Sequence, residues 1–123
     1  MLWTPQRNRT RRFRRRRVGI DDKIIEEIVQ RILTVAKPDK IILFGSAATG
    51  QMTRDSDVDL LIVEPDPSDQ RREYVRIRKA LWEFDYPFDI LFIATQWFEE
   101  SKNVVGGIAY PANKYGKVIY EAA

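Results

Sequence analysis

The stretch from residue 40 to residue 64 decides the fold, and its two halves are Lys-Ile-Ile-Leu-Phe-Gly-Ser (40–46) and Asp-Val-Asp-Leu-Leu-Ile-Val-Glu (57–64). Each half is an apolar run of strand length bounded by turn residues, which predicts two buried strands. Ten residues separate Ser46 from Asp57. This link is short for a parallel crossover, so we expect the two strands to be antiparallel. The Gly-Ser end of the first strand then lies beside the Asp-x-Asp start of the second.

The flanking sequence predicts helices on both sides of these strands. Apolar residues recur at three- and four-residue spacing after Asp21 or Asp22, which predicts an amphipathic helix that stops at Pro38. A second helix is predicted over residues 68–84, capped by Ser68. The apolar face expected for this second helix consists of Tyr74, Ile77, Leu81 and either Trp82 or Phe84. Its basic residues are interpreted as a solvated face, with contact to nucleic acid or an acidic partner as the alternative.

The remaining elements complete a small sheet. Strands are predicted at residues 88–93 and 117–120. A short helix opened by Thr95 is predicted over 96–102, and a helical turn or two is predicted within 104–115. The link between the second and third strands holds a whole helix, so that pair can be parallel. The sequence therefore predicts an α/β (α+β) domain, with a small mixed sheet of three to four strands and helices packed on it.

Three carboxylates are expected at one edge of this sheet. Asp57 and Asp59 are two residues apart and point to the same face of a strand, about 6.6 Å from each other. Asp89 lies near the start of the third strand, parallel to the second. Carboxylates inside strands are costly unless they are paired, protonated or bound to a cation. Mg²⁺ is held by such oxygen ligands together with substrate phosphates, so the sequence predicts a magnesium site, with two ions as one arrangement.

Each of these residues also has a structural explanation that involves no ligand. Asp57 and Asp59 would then cap the loop or pair with Arg54, and Asp89 would be a buried acid paired with Lys40 or an arginine. Gly45 and Ser46 would be an ordinary strand-ending turn. Trp82, Trp97 and Tyr86 are interpreted as core or interface residues and not as base-stacking groups.

Composition excludes several classes of chemistry. The chain has 123 residues, which is the length of one domain, and contains neither cysteine nor histidine. Disulfides, thiol nucleophiles, Ser-His-Asp triads and zinc sites built on Cys or His are therefore excluded. No apolar run approaches the roughly 18 residues of a membrane span, and no signal-peptide core is present. We expect a cytoplasmic protein with no membrane partner.

The net charge of +3 hides two regions of opposite sign. Eight of the 21 basic residues are arginines in the first 17 positions, which contain no acid. We expect residues 1–19 to be a disordered basic arm, and residues 20–123 to be the folded domain. Three interpretations of the arm stay open. Residues 7–17 bind nucleic-acid phosphates, or the arm steers a protein partner, or it is an artefact of start-site choice because Val18 can be a start codon.

The quoted residues resemble a known family. Leu43-Phe44-Gly45-Ser46, the ten-residue spacer and Asp57-Val58-Asp59 are similar to the signature of the minimal nucleotidyltransferases of the DNA polymerase β superfamily. A third carboxylate on a later strand stands at Asp89 here, and residues 116–121 are similar to the usual end of these domains. The resemblance covers the chain from about residue 20 and implies the nucleotidyltransferase fold.

The resemblance also implies roles for individual residues. Asp57 and Asp59 would bind both Mg²⁺ ions, and Asp89 would help to hold the ion that activates the acceptor and is a candidate general base. Gly45 and Ser46 would bind the nucleoside triphosphate. Thr49 stands where many relatives carry the arginine of Gly-Ser-x-Ala-Arg-Gly. The nucleotide site is therefore expected to use Thr49 and Arg54, with Arg54 as the nearest replacement for the missing charge.

The implied activity is transfer of a nucleoside monophosphate, AMP from ATP as the first choice, to a hydroxyl of a protein or nucleic acid. Many relatives are encoded beside a HEPN-domain toxin and act as antitoxins that modify or bind it. A HEPN-domain toxin, or a second copy of this chain, is therefore the expected partner. Two alternatives stay open: an antitoxin that acts by binding alone, and a nucleic-acid-binding module that uses the arginine-rich arm.

Overall fold

The computed structural model describes residues 20–52, 56–66 and 69–123. The predicted arm of residues 1–19, Arg54 and the predicted cap Ser68 lie outside these ranges. The helices are α1 (Asp22–Leu33), α2 (Ser46–Thr49), α3 (Gln70–Ala80), α4 (Thr95–Ser101) and α5 (Ala109–Tyr115). The strands are β1 (Lys40–Phe44), β2 (Val58–Glu64), β3 (Phe88–Ala94) and β4 (Lys117–Glu121).

The four strands form one mixed sheet in the order β3-β2-β1-β4. β1 pairs antiparallel with β2 and with β4. β2 pairs in parallel with β3, and α3 lies in the connection between them. The predicted fold class and both predicted strand directions are therefore confirmed.

Helices cover both faces of the sheet, which explains why β2 is apolar along its length and does not alternate with polar residues. On one face, α1 and α3 pack against residues such as Ile41, Leu60 and Ile62. On the other face, Phe98 of α4 and two alanines of α5 pack against Leu61 and Val63. Asp21 starts α1 as predicted, since its Oδ1 accepts a hydrogen bond of 2.9 Å from the amide of Ile24.

Four details differ from the sequence prediction. The polar connection expected after β1 begins with the short helix α2. Gly45 starts this helix, because its carbonyl oxygen accepts hydrogen bonds from the amides of Ala48 and Thr49. The helix predicted over 68–84 ends at Ala80, so Trp82 lies beyond it and is 84% exposed, whereas Phe84 packs on the core. Trp82 and Trp97 were predicted to be core or interface residues, and the core alternative is wrong, since Trp97 is also exposed. Thr95 opens α4 as predicted, but the helix covers Thr95–Ser101 and not 96–102, and the Thr95 hydroxyl donates to Asp39 at 2.6 Å. None of the helices in the described ranges is both long and apolar enough to span a bilayer.

Candidate active site

Strand register brings the predicted acidic residues to one edge of the sheet. Phe44 at the end of β1 is opposite Asp59, and Asp59 is opposite Asp89 across the parallel β2–β3 pair. Asp59 and Asp89 therefore lie side by side on the sheet face that carries α4 and α5. Asp57 precedes the first residue of β2 and is exposed. The convergence expected from strand direction and link length is present.

Gly45 places the end of β1 directly against Asp59. Its φ of 70° lies in the region that favours glycine, and a Cβ at this position would collide with Oδ2 of Asp59. A side chain at residue 45 would therefore displace the carboxylate, the backbone or both. The Gly-Ser turn is consequently part of the acidic site and not merely the end of a strand.

The acids of this edge repel one another. The pKa of Asp59 is raised by burial first, and then by the negative charges of Asp89 and Asp57. A bound cation or a proton would relieve this repulsion. Within the described ranges, no group of three acidic side chains is arranged to hold a metal ion. The donor set is made only of carboxylate oxygens, which suits a hard cation whose coordination a substrate phosphate completes.

The other predicted site residues have different surroundings. Ser46 is the first residue of α2 and is partly buried. Thr49 is exposed, and its hydroxyl donates to the carbonyl oxygens of Gly45 and Ser46 at 3.4 and 3.5 Å. Its side chain therefore bonds its own short helix and brings no positive charge to the site.

The explanation in which Asp89 is a buried acid paired with Lys40 is wrong. Asp89 is exposed, and Lys40 lies at the other end of β1. The ammonium group of Lys40 is 3.7 Å from a carboxylate oxygen of Glu99 and 3.8 Å from one of Glu121. Asp89 is therefore available to a ligand at the sheet edge.

A second acidic pair, which was not predicted from the sequence, lies at the opposite end of β2. Glu64 is only 5% exposed and hydrogen-bonds to Glu73 of α3. Burial, this hydrogen bond and the charges of Glu73, Asp39 and Asp66 raise its pKa to about 8. Oε1 of Glu73 is buried and has no hydrogen-bond partner among the described residues. The available sequence signal was an acid at the end of an otherwise apolar strand.

Comparison with known proteins identifies the fold family. The nucleotidyltransferase domain model matches residues 22–109, a range that contains Gly45, Ser46 and the three aspartates of the sheet edge. The chain belongs to the nucleotidyltransferase domain family. The predicted resemblance to the minimal nucleotidyltransferases is thereby confirmed. No curated protein sequence matches the chain.

Two solved structures share the fold of this nucleotidyltransferase domain. The first is a toxin–antitoxin with AMP-PNP, with a TM-score of 0.62 and 19% identity, covering 80% of this chain and 73% of that chain. The second is a mutant of the toxin–antitoxin MntA-HpeT, with a TM-score of 0.56 and 20% identity, covering 82% of this chain and 73% of that chain. At these identities the similarity is one of fold.

Proposed function

We propose that this chain is a cytoplasmic, Mg²⁺-dependent nucleotidyltransferase that transfers a nucleoside monophosphate, AMP from ATP, to a hydroxyl of a protein or nucleic acid. The observation that carries the proposal is the contact of the Gly45 backbone with Asp59, which has Asp89 beside it on the next strand. A turn that suits phosphate is thus joined to carboxylates that suit a divalent cation. The neighbouring structure that contains AMP-PNP supports a nucleoside triphosphate as substrate.

In this proposal the chain supplies both the metal ligands and the phosphate site. Asp57, Asp59 and Asp89 would hold one or two Mg²⁺ ions, which when bound would supply positive charge to the phosphates and the acceptor oxygen. The backbone of Gly45 and the hydroxyl of Ser46 would donate to the triphosphate. Thr49 and Arg54 would flank that site.

The reaction would be an in-line displacement at the α-phosphorus. The acceptor hydroxyl oxygen forms a bond to that phosphorus while the bond to the bridging α–β oxygen breaks, and pyrophosphate leaves. Asp89 is exposed and is the proposed base for the acceptor proton.

The test is label transfer from α-³²P-ATP in the presence of Mg²⁺ to the product of the neighbouring gene or to RNA. We expect transfer by the natural chain and none by Asp57→Asn with Asp59→Asn. The matched control is Asp66→Asn, an exposed carboxylate beyond the other end of β2, and it should retain activity. Equal labelling by all three proteins, or labelling by none, would contradict the proposal.

A second candidate is an antitoxin that acts by binding alone. Thr49 brings no charge to the phosphate site. Two of the structures that share the fold are toxin–antitoxins, which supports a protein partner, and we propose a HEPN-domain toxin or a second copy of this chain. The test is co-expression of the partner with a chain in which Asp57, Asp59 and Asp89 are all asparagine. Neutralisation that survives in this variant favours binding alone, and its loss favours transfer.

A further inference from the structure

A groove that the proposed function does not use lies between α3 and the start of β3. Its volume is about 530 Å³. We call it the aromatic–basic groove; the residues that define it are Tyr74, Val75, Arg78, Lys79, Trp82 and Phe88. Trp82 is 84% exposed and Tyr74 is 39% exposed, although both are large rings. Exposed aromatic surface of this kind marks an interaction site.

The charges along this side of α3 have one sign. Arg71, Val75 and Arg78 follow one another at three- and four-residue spacing, so they share one stripe of α3, and Trp82 lies just beyond the end of the helix. The described residues of that stripe include no acid. Glu73, the single acid of α3, bonds Glu64 on the other side of the helix.

Acids occur next to the stripe at both ends of α3: Asp69 precedes the helix and is paired with Arg72 at 3.2 Å, and two acids lie in the loop after it. Glu83 of that loop is paired with Arg31 at 2.8 Å, and Asp85 follows it. Among the described residues that line the groove itself there are two cations, Arg78 and Lys79, and no acid.

The rings and the cations of the groove are already arranged together. The guanidinium of Arg78 lies 5.8 Å from the centre of the Tyr74 ring. The same guanidinium donates a 2.9 Å hydrogen bond to the carbonyl oxygen of Phe88. Arg78 is thus held beside an aromatic face while its charge remains exposed.

The groove opens at the same sheet edge as the acidic site. Phe88 lines the groove, and the next residue of β3 is Asp89. The edge is fixed on both sides by backbone, since the amide of Val58 donates to the carbonyl of Pro87 at 2.8 Å. The groove and the three carboxylates therefore lie at the same end of the sheet but on its two opposite faces.

We propose that the aromatic–basic groove binds single-stranded nucleic acid, with bases stacked on Trp82 and Tyr74 and phosphates beside Arg71, Arg78 and Lys79. Such sites combine a positive groove with aromatic faces on which successive bases stack. An acidic protein segment would satisfy the charges but would leave the two exposed rings without flat partners. This inference is separate from the proposed transfer activity, because it concerns the binding of a nucleic-acid strand in the absence of ATP and Mg²⁺.

The first test is fluorescence anisotropy with labelled single-stranded RNA and DNA of about 12 nucleotides, a length within the usual site size. The full chain is used, without ATP or Mg²⁺. We expect Trp82→Ala to weaken binding by about 5- to 150-fold, the range for loss of one stacked base. Because Trp82 is exposed, the variant should fold, and Trp82→Phe should recover part of the affinity.

Trp97→Ala is the matched control. Trp97 is 61% exposed and lies on α4, away from the groove. It removes an exposed tryptophan of the same kind and should bind as the natural chain does. The arginines of residues 1–19 are present in every protein compared, so their contribution cancels.

The second test is the salt dependence of the same binding. Replacing Arg71 and Lys79 by glutamine should make the slope of log K against log salt less steep by about 1.4, since each phosphate contact on a single strand contributes about 0.7. The control pair Lys23→Gln with Lys37→Gln lies on exposed positions outside the groove and should leave the slope unchanged.

Equal affinity of the Trp82→Ala and Trp97→Ala proteins would overturn the proposal. Unchanged oligonucleotide binding by Trp82→Ala, together with loss of a protein partner's binding, would assign the groove to that protein instead. A salt slope that is the same in both double variants would also overturn it.

Discussion

Replacing Glu64 by glutamine should make the protein more stable at high pH and leave it unchanged at low pH. Glu64 is buried at the end of β2 and bonds Glu73, whose Oε1 accepts no hydrogen bond within the described residues. A glutamine amide keeps the shape of this side chain and can donate to that oxygen. The substitution therefore removes a charge from a buried site without creating a cavity.

The magnitude follows from the pKa of Glu64. Burial and neighbouring acids raise it from 4.5 to about 8. Below pH 4.5 the carboxyl is protonated in both the folded and the unfolded chain, and it contributes no difference. Between pH 4.5 and about 8 the unfolded chain loses the proton first, so the stability of the folded protein falls.

Above about pH 8 the folded protein carries the whole free-energy penalty of the buried Glu64 charge. Each pKa unit corresponds to about 1.4 kcal/mol, so the shift from 4.5 to about 8 sets an upper limit of about 5 kcal/mol on the loss of unfolding free energy. The cavity beside Glu64 is also lined by Lys37 and Arg76, whose side chains can turn toward the carboxylate once it is charged and so reduce the penalty. We therefore expect about 2 kcal/mol.

The assay is thermal unfolding followed by circular dichroism at several pH values. At about pH 9 the Glu64→Gln protein should melt roughly 8 °C above the natural chain, and at about pH 3.5 the two should coincide. Glu27→Gln, an exposed carboxylate on α1, is the control and should follow the natural chain throughout. A difference in melting temperature that is the same at both pH values would refute the reasoning.

Three further substitutions test the packing around the site. Gly45→Ala should lower the melting temperature by several degrees, because residue 45 has a φ of 70° and its Cβ would collide with Asp59. The same substitution should weaken ATP binding at least tenfold, measured by calorimetry. Unchanged ATP binding would show that the turn is not part of the nucleotide site. Gly116→Ala should cost about 1–3 kcal/mol in urea unfolding, since its Cβ would collide with the carbonyl oxygen of Ala112 and lie 2.7 Å from Cγ2 of Ile42. A neutral result would show that α5 and β1 can shift. Asp59→Asn should raise the melting temperature, because the pKa of this acid is raised in the folded chain. It should also abolish label transfer. A lowered melting temperature would show that the charge of Asp59 is stabilising.

Local features of the sequence were enough to predict the sheet edge. These features are the apolar runs, the Gly-Ser and Asp-x-Asp termini and the ten-residue link, and all of them are patterns of neighbouring residues. The direction of β2 relative to β1 follows from the length of that link alone. The pairing of Asp59 with Asp89 follows from the same logic once β3 is parallel to β2.

Features that depend on distant contacts could not be predicted in this way. Trp82 lies just beyond the end of α3, and helical periodicity does not show whether such a residue turns into the core or into solvent. The pairing of Glu64 with Glu73 joins the end of β2 to a helix that follows a loop, so no spacing rule applies to it. Both were found only from the packing of α3 against the sheet.

The side-by-side position of Phe88 and Asp89 on β3 has a consequence for how the loop before it can change during evolution. Phe88 packs toward α1 and α3, and Asp89 lies on the opposite face of the sheet. Inserting or deleting one residue in the loop 81–87 with a matching slip of β3 would exchange these faces, placing a carboxylate in the core and a phenyl ring among the acids. The length of this loop should therefore be under strong selection, even where the identity of its residues is free to vary.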